Sequence, residues 1–226
     1  MFDGLPRVYE LINHIVSLGL DISWRRKAAS LAAAKGGAAW LDVSTGTGEM
    51  AAYLRRLSGA GTTVVATDFS MPMLMEARRK KEAQRILFAI ADTGCLPFKP
   101  NSFDLVTISL ATRNITTSRE DLVSCLREFN RILKPGGWFV NLETSQPNSP
   151  TARRLFHKYV DGFLRPLGAV ISGSKSAYAY LSNTIRGFYE ADELTRIIGE
   201  AGFETVTVAR LFLGVAAIHE AQKTRP

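Results

Sequence analysis

With 226 residues the chain is long enough to bury one sizeable domain and too short for two of ordinary size. Hydrophobic residues make up 46% and charged residues 22%, which excludes a disordered chain, and apolar runs such as 105–110 and 211–218 fall short of the roughly 20 residues a membrane span needs. The net charge of +7 admits an anionic partner, yet the cations sit in scattered clusters (Arg25-Arg26-Lys27, 78–81, Arg153-Arg154) without interleaved aromatics, which argues against nucleic acid. Two cysteines, Cys95 and Cys125, form no disulfide framework and show no metal-ligand spacing. No basic and apolar leader opens the chain, so a reduced, cytoplasmic protein is the expectation.

In chain order, residues 5–34 carry Leu5, Val8, Ile12, Ile15 and Val16 at near-helical spacing, predicting a helical N-terminal segment. From residue 38 short apolar runs alternate with amphipathic stretches. Strands are predicted over 38–43, 62–67, 86–91, 104–109, 138–143, 205–211 and 215–219, with helices over 50–57, 72–83, 118–133 and 191–201. This alternation implies an α/β fold, a Rossmann-like, seven-stranded and mostly parallel sheet with helices on both faces. The last two strands are separated by only residues 212–214, too few for a parallel crossover, so the C-terminal strand must run antiparallel. Residues 1–226 then form a single domain: a cofactor-binding half at 38–145, an insertion at 146–190, and a C-terminal helix and hairpin at 191–220. The insertion, with Pro147, Pro150 and Pro166, interrupts the alternation where it can cap a ligand site.

After the first strand comes Asp42-Val43-Ser44-Thr45-Gly46-Thr47-Gly48-Glu49 and then a helix. Gly46 and Gly48 let the backbone turn and approach a ligand, and the helix N-terminus offers unpaired N–H groups. Residues 46–51 also satisfy the looser dinucleotide fingerprint, so a nicotinamide-dependent oxidoreductase is the competing reading. Four features separate the two. Asp42 stands before the glycines, where a carboxylate suits the amino-acid end of a zwitterion and would repel a pyrophosphate. Asp68 ends the second strand and suits ribose hydroxyls, with Phe69 and Ser70 following it. Asp92, with Thr93, follows the third strand, where a carboxylate can accept from an adenine amine. Lys134-Pro135-Gly136-Gly137 leads into the fifth strand. For Asp104, beside Phe103 at a strand start, a capping role is expected.

That ordered set resembles the class I S-adenosylmethionine-dependent methyltransferases throughout 38–220. A closer resemblance, nearly end to end, is to the ubiquinone/menaquinone biosynthesis C-methyltransferase family. It rests on Tyr9-Glu10-Leu11-Ile12-Asn13, Ser17-Leu18-Gly19, Trp24, residues 68–74, Arg113-Asn114, Leu142-Glu143-Thr144-Ser145-Gln146-Pro147, Tyr178-Ala179-Tyr180-Leu181, Ala201-Gly202-Phe203 and His219. The chain departs from that pattern at Ser44-Thr45, where the family has Ala-Gly, and at Ala111-Thr112, where it has Phe-Gly.

The resemblance implies S-adenosyl-L-methionine as cofactor, held by Asp42, Ser44, Thr45, Gly46, Gly48, Asp68, Phe69, Ser70, Asp92 and Thr93. It implies methylation of a ring carbon of a polyprenylated quinol, the demethylmenaquinol type favoured, with another small-molecule acceptor as alternative. Arg113 is then the first candidate to stabilise a phenolate or polarise a water, Asn114 to orient the substrate oxygen, and Tyr9 to close the site. Pairing of Arg113 with Glu143 is the competing structural role. No metal-ligand cluster is visible, and His14, His157 and His219 are expected to be structural. Leu155, Phe156, Tyr159, Phe163, Leu164, Val170 and Ile171 are expected to line a path for a prenyl tail. Together with the basic charge they suit peripheral contact with an anionic membrane. A homodimer is left open.

Overall fold

The computed structural model describes residues 14, 17–115, 118–164 and 185–225. Helix α1 (Leu20–Ala33) precedes β1 (Ala39–Val43), α2 (Glu49–Leu57), β2 (Thr63–Asp68), α3 (Met71–Ala77), β3 (Ile86–Ile90) and β4 (Phe103–Ser109). Then come α4 (Thr112–Ile115), α5 (Arg119–Ile132), β5 (Leu133–Thr144), α6 (Pro150–Tyr159), α7 (Ala191–Glu200), β6 (Phe203–Leu211) and β7 (Ala216–Lys223). The seven strands lie in the order β3-β2-β1-β4-β5-β7-β6. β1 to β5 pair in parallel, and β7 runs antiparallel to both β5 and β6, as the short 212–214 connection requires.

Alternating strand residues feed two cores. On one face Trp40, Leu105, Val140 and Leu142 pack under α1 and α2 with Trp24, Ala28, Ala29, Ala32 and Leu54. The alanines of α1 recur at helical spacing and let its backbone sit close to the sheet. On the other face Leu41, Val106, Ile108 and Phe139 meet α5 and α7 through Leu126, Phe129, Leu194 and Ile197. Successive crossovers turn away from each other between β1 and β4, so a crevice opens there at the carboxyl edge of the sheet.

Two element boundaries depart from the sequence reading. The helix expected over 72–83 stops at Ala77 and tightens into turns, followed by a 3₁₀ segment at Lys81–Arg85. Four consecutive cations, Arg78 to Lys81, would repel along a continued helix, and Lys80 instead turns to pair with Glu49 at the start of α2. The fifth strand starts at Leu133, five residues early, because the Lys-Pro-Gly-Gly stretch is taken into β5 across an irregularity against β4. The 146–190 insertion contains a helix that the strand–helix alternation did not show. It begins with Pro150 behind Ser149, whose hydroxyl accepts from the Ala152 amide, a start signal present in the sequence.

Candidate active site

The crevice holds a cavity of about 360 Å³ walled from the ends of four adjacent strands and from α1. Asp42, Ser44, Thr45, Gly46, Asp68, Phe69, Ser70, Asp92, Thr93 and Asn114 all line it. Gly48 serves the same loop from behind, with φ 80, and a Cβ there would meet the Ala77 Cβ at 2.8 Å. At Gly46 (φ 57) an added Cβ would meet nothing within 4 Å, so this glycine is required by its backbone conformation.

Asp42 is almost completely buried on the α1 side of β1. It accepts from the Thr45 hydroxyl at 2.6 Å and from the Thr107 hydroxyl at 2.7 Å, Thr107 being its register partner on β4. Burial pushes its pKa up to about 6, against the pull of those two hydroxyls, the Arg25 charge and the Ala51 amide. Asp68 is tied to the glycine loop itself: one carboxylate oxygen accepts from Gly46 N at 2.8 Å and the other from Ser70 N at 3.0 Å. Its pKa is raised by burial, with the amides of Ser70, Gly46 and Phe69 acting the other way. A carboxylate offers about four acceptor positions, so both oxygens retain capacity toward the cavity. Asp92 accepts from Gly94 N at 2.8 Å, and the Ser44 and Thr93 hydroxyls lie 3.0 Å apart, joining the first and third strand ends. Phe69 leaves about two thirds of its surface open at the rim.

The strand-four side is built by a clamp. Leu110 turns in the left-handed region (φ 55) although it is bulky and buried, a conformation that persists only where its surroundings impose it. Asn141 and Glu143, two residues apart on β5, impose it. The Thr112 hydroxyl donates to Asn141 Oδ1 at 2.6 Å, and Glu143 accepts from the Arg113 amide at 3.2 Å and pairs with its guanidinium. Arg113 therefore packs on Glu143 and does not line the cavity, whereas Asn114 does. Within the cavity wall, Ser109 Oγ and Asn114 Oδ1 are buried and have no hydrogen-bond partner among the described residues. Tyr9, Tyr178 and Tyr180 lie outside the described residues.

Sequence reasoning missed Arg25. It lines the cavity from α1, held by Asp21, which is itself buried and accepts from His14 Nδ1 at 2.8 Å and from the Ser17 hydroxyl at 2.6 Å. Burial pushes the Asp21 carboxyl up, but the hydrogen bonds from Ser17 and His14 and the Arg25 charge together hold it below its ordinary pKa. The i, i+4 spacing of Asp21 and Arg25 was legible, but nothing local says that α1 reaches the cavity. Asp104 takes the capping role expected of it, accepting from Ala38 N and Ala39 N at 2.9 Å each and pairing with Lys134. His157 bonds Gln146, and His219 donates through Nε2 to the Ala191 carbonyl. Both stand away from the cavity walls.

Comparison with known proteins agrees with this geometry. A model of the ubiE/COQ5 methyltransferase family matches residues 1–223. A demethylmenaquinone methyltransferase of Thermus thermophilus is 39% identical over 221 residues, covering 97% of this chain and 98% of its own. A ubiquinone/menaquinone biosynthesis C-methyltransferase of Desulfotalea psychrophila is 36% identical over 223 residues, covering 97% and 87%. Among solved structures, a putative methyltransferase of Bacillus halodurans superposes with a TM-score of 0.63 at 20% identity, covering 88% of this chain and 98% of that one. The glycine loop is thereby assigned to methyl transfer and the nicotinamide reading is set aside. The chain belongs to the ubiE/COQ5 methyltransferase family and is an S-adenosylmethionine-dependent methyltransferase.

Proposed function

We propose that this enzyme methylates a ring carbon of a polyprenylated hydroquinone of the demethylmenaquinol type, the reaction class for which its relatives are named. One observation carries the reading at the site. Asn114, whose buried amide oxygen has no partner among the described residues, lines the same cavity as the three strand-end carboxylates Asp42, Asp68 and Asp92. The site thus has an acidic, cofactor-suited half and a neutral, hydrogen-bonding half.

The residues fit S-adenosylmethionine. Asp42 would offer a buried carboxylate to its ammonium, Asp68 would accept from ribose hydroxyls, Asp92 and Thr93 would meet the adenine, and Phe69 would supply an apolar rim. When bound, the cofactor supplies an electrophilic methyl group. The protein's part is to make the ring carbon a nucleophile. A phenol-type hydroxyl has a pKa near about 10, so the neutral quinol reacts poorly, and loss of its proton raises electron density on the adjacent carbon. Asn114 orients the hydroxyl or a water that takes the proton. Arg113 acts from behind the wall as a positioning residue, since its pairing with Glu143 fixes the turn that carries Asn114. A prenylated acceptor resides in a lipid bilayer, so the enzyme works from the cytoplasm at an anionic membrane face. Among the described residues no helix is long and apolar enough to cross a membrane.

The test is turnover of Asn114→Ala with labelled S-adenosylmethionine and a prenylated quinol. Cofactor affinity should stay near that of the parent while kcat falls about a hundredfold, the cost of one preorganised group where charge develops. The oxidised quinone should not be methylated, because it has no ionisable hydroxyl. Parent-like turnover in a folded Asn114→Ala protein, or methylation of the quinone, would remove this mechanism.

A further inference from the structure

We propose that the groove between the start of α1, helix α6 and the turn joining β6 to β7 is a docking surface for an anionic lipid bilayer. The inference rests on the reading of the acceptor as a membrane-resident quinol, and it names the surface that meets the membrane.

The groove encloses about 290 Å³ and is walled by Leu18, Trp24, Leu155, Phe156, Phe212 and Leu213, with Tyr159 at its side. Leu213 is 77% exposed, Leu155 70%, Leu18 65% and Phe212 57%. Single exposed leucines are ordinary on any surface. Four large apolar side chains converging on one groove are not, and such patches mark contact with a partner or a membrane.

The backbone adds a second observation. Leu18 (φ 53), Phe212 (φ 42) and Leu213 (φ 57) all lie in the left-handed region that side-chain-bearing residues avoid. Leu110, the other apolar residue in that conformation, is buried at the cofactor cavity, where its surroundings repay the strain. At the groove the same left-handed turns expose the very side chains they present, and no contact among the described residues covers those side chains.

Charge selects the occupant. On α6 the exposed Arg154 and Lys158 are one helical turn apart beside Leu155, and neither forms an ion pair among the described residues. The nearby cations Arg153 and Arg210 are already paired, with Glu190 and Asp192. An apolar groove flanked by unneutralised cations matches the boundary of an anionic bilayer, with acyl chains in the groove and lipid headgroups at Arg154 and Lys158. It matches a second copy of this chain less well, since that copy also carries a net charge of +7. Position agrees. Ala216, just after the turn, pairs with Thr144 at the carboxyl end of β5, and α6 follows β5, so the groove lies at the same edge of the sheet as the cofactor cavity.

The experiment is co-sedimentation of the full chain with phosphatidylcholine vesicles, with and without phosphatidylglycerol, and with no quinol present. The parent should bind the phosphatidylglycerol vesicles and release in high salt. Phe212→Asp combined with Leu213→Asp should lower partitioning at least about tenfold. Arg154→Gln combined with Lys158→Gln should lower it about fivefold per charge, on the anionic vesicles alone. Cofactor affinity and turnover of a short-tailed, water-soluble quinol should match the parent in both double variants, which also shows that they fold. The proposal falls if the parent ignores anionic vesicles or if the double aspartate variant binds them like the parent. It falls too if that variant only converts a dimer to a monomer, which would make the groove an interface between copies. Failure to methylate any quinol would remove the acceptor reading while the vesicle result still decides the docking surface.

Discussion

Asp42 sits in a place that penalises charge, and the penalty has a sign that can be measured. Its folded pKa is raised from 3.8 to about 6 by burial. Between those values the folded protein holds a proton that the unfolded chain has released. The group therefore costs nothing below about pH 3.8, and its cost grows as pH rises toward 6, reaching about 3 kcal/mol by pH 7. Asp42→Asn should make the cofactor-free protein more stable at pH 8 than the parent, with the difference shrinking at pH 5, as read from urea midpoints. The same substitution should weaken S-adenosylmethionine binding, since an amide cannot pair with an ammonium. Parent affinity should fall about tenfold per pH unit below 6, and the variant should lack that slope in calorimetry. Arg113 behaves differently. Removing it strands Glu143, which is also buried, so Arg113→Ala should lose about 3–5 kcal/mol of stability, seen as a lowered urea midpoint. Arg113→Lys should recover little of this, because a flexible ammonium cannot reproduce the planar fork.

At the scale of elements, the site depends on two turns whose shapes are set from behind. The glycine loop is held by Asp68 through the Gly46 amide, and by the close contact between Gly48 and Ala77 where α2 begins beside the end of α3. Gly48→Ala combines an unfavourable left-handed conformation with an overlap of two methyl carbons. We expect a loss of about 2–4 kcal/mol in unfolding free energy and weaker cofactor binding. Adding Ala77→Gly should return the overlap part and leave the conformational part. A double variant no more stable than Gly48→Ala would show that the contact is not what makes this glycine necessary. The second turn, from Leu110 to Asn114, is shaped by β5, so substitutions at Asn141 or Glu143 should act on Asn114 without touching the cavity.

For the whole molecule, the cavity draws its walls from four strand ends and α1, so a bound cofactor joins elements that are far apart in the chain. Ligand at about a hundred times its Kd adds about 2.7 kcal/mol, which for a domain of this length corresponds to a rise in Tm of about 5–11 °C. Differential scanning should show that rise with saturating S-adenosylmethionine. With Asp68→Ala the same concentration should give a much smaller one, because the variant loses the loop anchor along with the acceptor proposed for the ribose. An equal rise in both proteins would place the cofactor elsewhere.

The amino-acid sequence alone determined the sheet, because strands and helices alternate with their own periods and 212–214 is too short for a crossover. It also determined the acidic half of the cavity, since Asp42, Asp68 and Asp92 each lie within two residues of a strand's carboxyl end and parallel order carries all three to one edge. Tertiary structure decided the rest. Whether Arg113 faces substrate or Glu143 depends on β5, 30 residues away, and no local pattern reports that register. Arg25 enters the cavity because α1 packs on the same face as α2, a choice made by alanine-to-sheet contact and not by helical spacing. The groove at Leu18, Leu155 and Leu213 exists only because three stretches far apart in the chain meet at one edge, and exposure is a property of that meeting.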